Sequence, residues 1–290
     1  VIHYDTISIA AHHHMAGATP KTLNHHNIES HLIKRRATIE KNPLKRLYYH
    51  LEGAKLERFE ANVCPKFDVN FTVSELDKSR LLEIAPSACV DVVANGVDCD
   101  YFCPQPDGLV APESIIMVSG MNWFPNRDAV LYMCDEIWPA LSNAYPNVSW
   151  TVVGSSPPQR LLDLAKLDKR VKVTGFVDDV RPYLTEAQVY LCPMRDGGGT
   201  RLKILDALAM GKPIVATTMA YEGISVTPDL NVLVADTPND FVGQIGRLFE
   251  DRDLRSTLGD EARRFVMEHY SWSVIGDHLD DIYGRMLVEK

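Results

Sequence analysis

The sequence lacks a C-x-x-C pair. Its six cysteines are scattered through 290 residues: Cys64, Cys89, Cys99, Cys103, Cys134 and Cys192. Disulfide frameworks and structural zinc sites need regularly spaced ligand sets, and none is present. The pattern therefore excludes a disulfide-stapled or zinc-bound scaffold. It predicts reduced, mostly buried thiols in a cytoplasmic protein.

Long apolar runs and a surplus of positive charge are also missing. No apolar run reaches the length of a membrane span. Thirty Lys and Arg stand against 39 Asp and Glu, which gives a net charge of -9. A dedicated nucleic-acid binder needs a basic surplus to neutralise phosphates, so the charge argues against a nucleic-acid partner.

Basic residues nevertheless cluster in one stretch, 34–46. Two interpretations stay open: a solvated helix face, or a basic surface that contacts anionic lipid or an acidic acceptor. The second predicts peripheral contact with the cytoplasmic face of the inner membrane. The basic residues are Lys34, Arg35, Arg36, Lys41, Lys45 and Arg46.

Short β-branched runs alternate with longer helical patterns, which predicts an α/β fold with parallel sheets. We expect a partial N-terminal Rossmann-like domain at 1–107, a ligand-binding domain at 108–270 and a closing helix at 271–290 that packs back on the first domain. The first half offers only about four strands, and the chain begins on a strand without a methionine. We therefore expect the C-terminal portion of a longer protein.

The stretch RDGGGTRLKILDALAMGKPIVATT, residues 195–218, combines three glycines with two cations between a strand and a helix. Glycine allows close approach of backbone N–H groups to an anion, and a helix N-terminus carries partial positive charge. Arg201 and Lys203 oppose that dipole, a conflict that a bound polyanion would offset. The alternative is a simple flexible turn.

Two familiar phosphate motifs do not fit this loop. A Walker loop needs GxxxxGK[ST], and a dinucleotide fingerprint belongs at the first βα turn of its sheet. The loop has neither the spacing nor the position. The anion is therefore predicted to be neither a P-loop nucleotide nor NAD.

Five stretches together resemble the family 4 retaining glycosyltransferases, which have the GT-B fold. They are SELDKSRL, VVANGVDCDYF, VTGFVDDVRPYL, PMRDGGGTRLKILDALAMGKPIVATTMAYEGI and the closing FVMEHYSW. MNWFPNRDAV with GGGTRLKIL is similar to a bacterial branch found with exopolysaccharide and PEP-CTERM protein-sorting loci. The resemblance implies two Rossmann-like domains that face a cleft, with the N-terminal one incomplete here.

The resemblance also implies roles for individual residues. Asp206 takes the place of the family's second acid, which bonds the donor ribose. Gly198 replaces the first acid, so that carboxylate is absent. The family's two cations after the first strand of this domain are replaced by Gly120 and Asn126, and we expect Arg201 and Lys203 to supply that charge instead.

Further site residues follow from the same resemblance. The expected catalytic residues are Asp5, His26, Arg201 and Lys203. His3, Asn27 and Glu29 are either cleft residues or ordinary loop polars. The expected donor-binding residues are Gly120, Asn122, Phe176, Val177, Gly198, Gly199, Thr200, Arg201, Lys203, Asp206 and Glu222.

The implied function is retaining transfer of a hexosyl group (EC 2.4) from a nucleoside-diphosphate sugar to a glycan or polyprenyl-linked acceptor, in bacterial cell-surface polysaccharide synthesis. No metal or other cofactor is expected; the D-x-D at Asp98–Asp100 lies in a hinge turn, and His12–His14 lacks spaced partners. Two alternatives remain: a non-catalytic nucleotide-sugar-binding remnant and a GT-B nucleotide-sugar epimerase.

Overall fold

A computed structural model describes residues 1–105 and 109–288. The chain divides into two compact units. The first comprises 1–95, 198–200 and the residues from Ile275 onward, and the second comprises 96–197 and 201–274. The predicted boundary at 107/108 falls outside the described residues, and the structural division lies instead between Asn95 and Gly96.

The first unit contains a four-stranded parallel sheet. Its strands are β1 (Ile2–Tyr4), β2 (Lys21–His25), β3 (Val69–Thr72) and β4 (Val90–Val92), in spatial order β1-β2-β3-β4. Every residue of β3 is buried, as expected for a parallel strand that is covered on both faces. These four strands correspond to the four predicted runs, each shorter than its sequence pattern suggested.

Two long helices follow β2, and the helical structure is interrupted between them, just before Pro43. They are α1 (Glu29–Ile39) and α2 (Pro43–Val63). Asn42 caps α2, because its side chain accepts hydrogen bonds from the backbone of Leu44 and Lys45, and Pro43 occupies the first helical turn. Ser74 caps α3 (Glu75–Ile84) by accepting a hydrogen bond from the backbone N–H of Asp77.

The C-terminal helix α11 (Trp272–Val288) belongs to the first unit from Ile275 onward. Ile282 and Met286 pack against Val69 and Phe71 of β3. The Tyr283 hydroxyl lies 3.2 Å from Nδ1 of His3. Strand β3 and the C-terminal helix therefore share one apolar cluster.

The second unit contains a six-stranded parallel sheet in the order β10-β9-β8-β5-β6-β7. Its strands are β5 (Ser114–Val118), β6 (Ser149–Val153), β7 (Val171–Gly175), β8 (Val189–Cys192), β9 (Ile214–Ala216) and β10 (Leu233–Val234). The chain starts in the middle, runs outward through β6 and β7, and returns to continue through β8. This is the strand order of a doubly wound sheet.

Seven α-helices lie wholly within the described part of the second unit: α4 (Phe124–Tyr132), α5 (Trp138–Ala144), α6 (Gln159–Leu167), α7 (Arg181–Glu186), α8 (Leu202–Ala209), α9 (Pro238–Glu250) and α10 (Arg252–His269). A π-helical turn at Met133–Ile137 connects α4 to α5 without a break in the helix. The core includes Trp138 and Trp150, whose ring centroids are 5.6 Å apart.

Candidate functional site

The topological switch point of the second unit lies between β5 and β8, which are hydrogen-bonded neighbours that continue in opposite directions. Ligands of doubly wound sheets bind beyond the carboxyl ends of the strands at such a point. Ser119 and Gly120 follow β5, and the glycine-rich loop follows β8. Topology alone therefore brings the two predicted loops to the same edge of the sheet.

Contacts to two of its backbone carbonyl groups hold the loop after β5 in place. The Asn126 side chain donates to the carbonyl of Gly120 at 2.9 Å. Gly154, which follows β6, has a φ of 143°, and a Cβ there would lie 1.9 Å from the carbonyl oxygen of Ser119. Only glycine permits this approach, so Gly154 fixes where Ser119 lies.

Lys203 extends from the first turn of α8 to this loop. Its Nζ donates to Oδ1 of Asn126 at 2.6 Å and to Oγ of Ser119 at 3.3 Å. Burial lowers the pKa of Lys203, the thiol of Cys192 opposes that shift, and the charge of Arg201 adds to it. The ammonium of Lys203 therefore lies at the loop after β5 and bonds Asn126, and its role as the replacement for a cation there stays a prediction.

Arg201 occupies the N-cap of α8 and is buried. The helix begins at Leu202. Gly197 has a φ of 121°, and a Cβ there would lie 3.1 Å from Nη2 of Arg201. The glycine thus accommodates both the turn and the guanidinium.

Asp206 lies in the second turn of α8, on the same helix as Lys203. Burial raises the pKa of its carboxyl to about 7. Within the described ranges, no side chain makes a hydrogen bond or an ion pair with this carboxylate. A half-buried carboxylate with open acceptor sites is suited to bind hydroxyl groups of a ligand.

Three loop residues from this stretch, Gly198, Gly199 and Thr200, group with the first unit. A Cβ on Gly199, whose φ is 67°, would lie 2.8 Å from Oδ1 of Asn27 and 2.9 Å from the carbonyl oxygen of His26. A Cβ on Gly198 would lie 3.0 Å from Oδ1 of Asn27. Any larger residue at 198 would therefore have to displace Asn27.

The first unit also brings together the predicted pair Asp5 and His26. Nε2 of His26 lies 3.3 Å from Oδ1 of Asp5, and the Asn24 side chain donates to the same oxygen at 3.3 Å. Both side chains are more than half exposed. The arrangement provides an accessible imidazole whose orientation is set by a carboxylate.

The remaining predicted donor residues follow other strands of the second sheet. Asn122 is exposed in the loop after β5, and Phe176 and Val177 follow β7, where the Phe176 ring is 75% exposed. Glu222 lies in the loop after β9. The role of these four residues in donor binding stays a prediction.

The carboxylate of Asp98 is used within its own turn. It accepts hydrogen bonds from the backbone N–H groups of Asp100 and Tyr101, at 3.1 and 2.8 Å. His12–His14 lie in a 3₁₀ helix, Ile7–Ala16. Across residues 1–105 and 109–288, no cluster of three His, Cys, Asp or Glu side chains is placed to hold a metal ion.

One ion pair at the start of the glycine-rich loop was not foreseen from the sequence. Arg195 makes a two-point contact with Asp128 of α4, at 3.0 and 3.1 Å, and its guanidinium lies 4.1 Å above the ring of Tyr132. Glu136 adds a third partner at 3.4 Å. The pair ties the loop after β8 to the helix that follows the loop after β5.

We expect Arg195→Ala and Asp128→Ala each to weaken nucleoside diphosphate binding by about two- to fivefold, because the loop loses its anchor. The pair is partly exposed, so its coupling energy should be about 0.5–1 kcal/mol. Calorimetry on both single variants and the double variant measures it. If the losses of the two single variants add up fully in the double variant, Arg195 and Asp128 do not act as a coupled pair.

The family model that matches this chain covers residues of the second unit, together with 198–200 of the first. Residues 112–251 match the model of the family Glycosyl transferases group 1. A phosphatidyl-myo-inositol mannosyltransferase of Mycolicibacterium smegmatis is 26% identical over 219 residues, covering 73% of this chain and 55% of the relative. The chain thus spans little more than half the length of that relative. A GDP-mannose-dependent phosphatidylinositol monomannoside mannosyltransferase of the same organism is 24% identical over 74% of this chain and 62% of its own.

Solved structures extend the likeness to the first unit. Sucrose-phosphate synthase from Thermosynechococcus elongatus aligns with a TM-score of 0.78 and 19% identity, over 100% of this chain and 74% of its own. Anabaena Alr3699/HepE, solved in complex with UDP, aligns with a TM-score of 0.78 and 15% identity, over 98% and 78%. The chain therefore has the GT-B glycosyltransferase fold, which confirms the predicted fold class.

Proposed function

We propose that this chain carries the donor site of a retaining glycosyltransferase, which moves a sugar from a nucleoside diphosphate to a glycan or lipid-linked acceptor. The observation that carries the proposal is the position of Lys203. Its ammonium bonds Ser119 and Asn126 at the switch point of the sheet. The comparisons support glycosyltransferase chemistry, and two of the matching relatives are named as mannosyltransferases of phosphatidyl-myo-inositol and of a phosphatidylinositol monomannoside.

The diphosphate is the proposed occupant of the α8 N-terminus. Lys203 and Arg201 place two positive charges in and before the first turn of α8, where the helix dipole is already positive. Lys203 is partly buried, which raises the cost of holding its charge without a counter-charge. A diphosphate supplies that charge, and it gains further negative charge as the sugar departs.

The proposed chemistry is electrostatic. The two cations and the helix dipole stabilise the charge that develops on the leaving diphosphate. Asp206 accepts hydrogen bonds from the ribose hydroxyls. Asp5 orients His26 on the first unit, where His26 bonds the transferred sugar or the acceptor. The acceptor attacks from the face that the diphosphate leaves, so no protein nucleophile is needed.

A second candidate function has one observation in its favour. Position 198 holds glycine, and a side chain there would meet Asn27 at 3.0 Å. The resemblance places a catalytic carboxylate at this position, so its absence favours a protein that binds the nucleotide sugar without turnover. An epimerase is a weaker candidate, because free donor would have to be its substrate.

One experiment separates these functions and tests the metal prediction. The full-length protein is incubated with GDP-mannose or UDP-glucose and a lipid-extract acceptor, with and without a chelator. Transfer that is retained in chelator supports the proposal. Binding without transfer or hydrolysis supports the second candidate, interconversion of free donor supports an epimerase, and loss of transfer in chelator contradicts metal independence.

The proposal places the enzyme in bacterial cell-surface polysaccharide synthesis, at the cytoplasmic face of the inner membrane, which the basic stretch 34–46 contacts. Within the described ranges, no helix has the length and the apolar character of a membrane span.

A further inference from the structure

The first two turns of α2 expose an apolar stripe. Leu44, Leu47, Tyr48 and Leu51 are 77%, 57%, 57% and 56% exposed. Their spacing of three and four residues puts them on one helix face. Isolated surface leucines are common in proteins, whereas four large apolar side chains in one exposed row mark a surface that meets another apolar medium.

The rest of α2 is packed, so the stripe is not needed to hold the helix. A Cβ on Gly53 would lie 2.7 Å from Cγ of Lys34, which shows how closely α1 and α2 approach there. Glu60 is fully buried and accepts a hydrogen bond from the backbone of Ser30. From 43 to 48, in contrast, every residue is exposed. The far end of α2 anchors the helix, and its first turns project.

The charge around the stripe is opposite to that of the whole chain. Residues 34–51 contain six Lys or Arg and one acid, Glu40, although the chain carries a net charge of -9. Lys41, Lys45 and Arg46 are exposed beside the stripe. Their long stems can lie along an apolar surface while the charged ends stay in water.

We propose that the stripe Leu44, Leu47, Tyr48 and Leu51 inserts into the interface of an anionic lipid bilayer, with Lys41, Lys45 and Arg46 at the headgroups. The inference rests on the proposed function, which needs a lipid surface, and it names the segment that meets it. Apolar residues bordered by cations are the features of helices that lie in the interface. A second copy of the chain is a poorer partner, because two positively charged segments would then face each other.

Vesicle flotation tests the proposal. Full-length protein is mixed with phosphatidylglycerol–phosphatidylethanolamine vesicles or with pure phosphatidylcholine vesicles. The triple variant Leu44→Ser, Leu47→Ser, Leu51→Ser should lose about tenfold or more in affinity for the anionic vesicles, since buried leucine area drives insertion. Leu167→Ser is the matched control, because Leu167 is 84% exposed on α6. Leu167→Ser should leave the affinity for the anionic vesicles unchanged.

The contribution of the basic residues and the depth of insertion are measured separately. Lys41→Gln, Lys45→Gln and Arg46→Gln together should cost about 100-fold at low salt, at roughly fivefold for each headgroup contact. Tyr48→Trp should give a blue-shifted emission component on anionic vesicles, relative to the parent protein. Three results would overturn the proposal. They are equal binding to phosphatidylcholine vesicles, unchanged affinity of the triple leucine variant for anionic vesicles, and an oligomer of the parent protein that the triple leucine variant does not form.

A failure of the membrane proposal can be distinguished from a failure of the proposed function. The stripe variants should transfer sugar to a water-soluble acceptor at the parent rate, because no stripe residue belongs to the donor site. If no variant and no parent protein transfers sugar, the proposed function fails while the vesicle result stands. If transfer is intact and vesicle binding is absent, only the docking proposal fails.

Discussion

Lys203→Ala should weaken nucleoside diphosphate binding by about 1–3 kcal/mol, the range for a charge-assisted hydrogen bond. It should slow sugar transfer further, by about 10²-fold or more, because the ammonium interacts more strongly with the leaving diphosphate than with the bound donor. Lys203 meets Ser119 and Asn126 at the switch point, where the ligand of this sheet type binds. Calorimetry with the diphosphate and initial rates with the sugar donor measure the two effects.

The controls separate charge from structure. Lys166→Ala removes an exposed lysine that pairs with Asp163 on α6, and it should leave both measurements unchanged. Arg201→Ala should match the binding loss of Lys203→Ala, but Arg201 is buried, so its melting temperature must be measured alongside. Parent affinity in both Arg201→Ala and Lys203→Ala would remove the basis for a diphosphate at this loop.

The sequence predicted those parts of the site that depend on local chemistry. Glycines before two cations at a strand-to-helix junction indicate an anion site without any tertiary knowledge. The expectation that Lys203 compensates for a neutral loop after β5 came from the resemblance to the glycosyltransferase family. The structure adds its partner: Asn126 lies 77 residues away, and only the strand order of the sheet brings the two together.

Contacts between distant segments could not be predicted in this way. Arg195 and Asp128 are separated by 67 residues, and no spacing rule links a loop to a helix face so far away. The exposure of Leu44 and Leu47 was equally hidden, because the same 3.6-residue period describes a buried helix and an exposed one. Sequence patterns predicted the elements, whereas the neighbours of each element follow from tertiary packing.

Asp206→Asn should stabilise the fold and weaken binding of the ligand. The carboxyl of Asp206 has a pKa raised by burial to about 7, well above its value in an unfolded chain. The folded state therefore holds this proton more tightly, and the stabilisation is present at acid pH and lost as pH rises through 7. Between pH 5 and pH 8 the parent should lose about 2–3 kcal/mol of unfolding free energy relative to Asp206→Asn. Chemical denaturation at the two pH values measures this difference.

The control for stability is an acid whose pKa is shifted in the opposite direction. Asp163 is exposed on α6, and hydrogen bonds from Gln159 and Lys166 lower its pKa, so Asp163→Asn should not gain stability as pH rises. A pH-independent difference between Asp206→Asn and the parent would show that the Asp206 carboxyl titrates normally.

Ligand binding tests the function of the same carboxylate. Parent protein should bind a ribonucleoside diphosphate more tightly as pH rises through 7, because the ionised carboxylate accepts from the ribose hydroxyls more strongly. It should bind the 2′-deoxy or 3′-deoxy analogue less well, and Asp206→Asn should show a smaller difference between these ligands. A carboxylate that costs stability in the free protein and contributes to binding is typical of a functional site. Equal discrimination by parent and variant would mean that Asp206 does not touch the ribose.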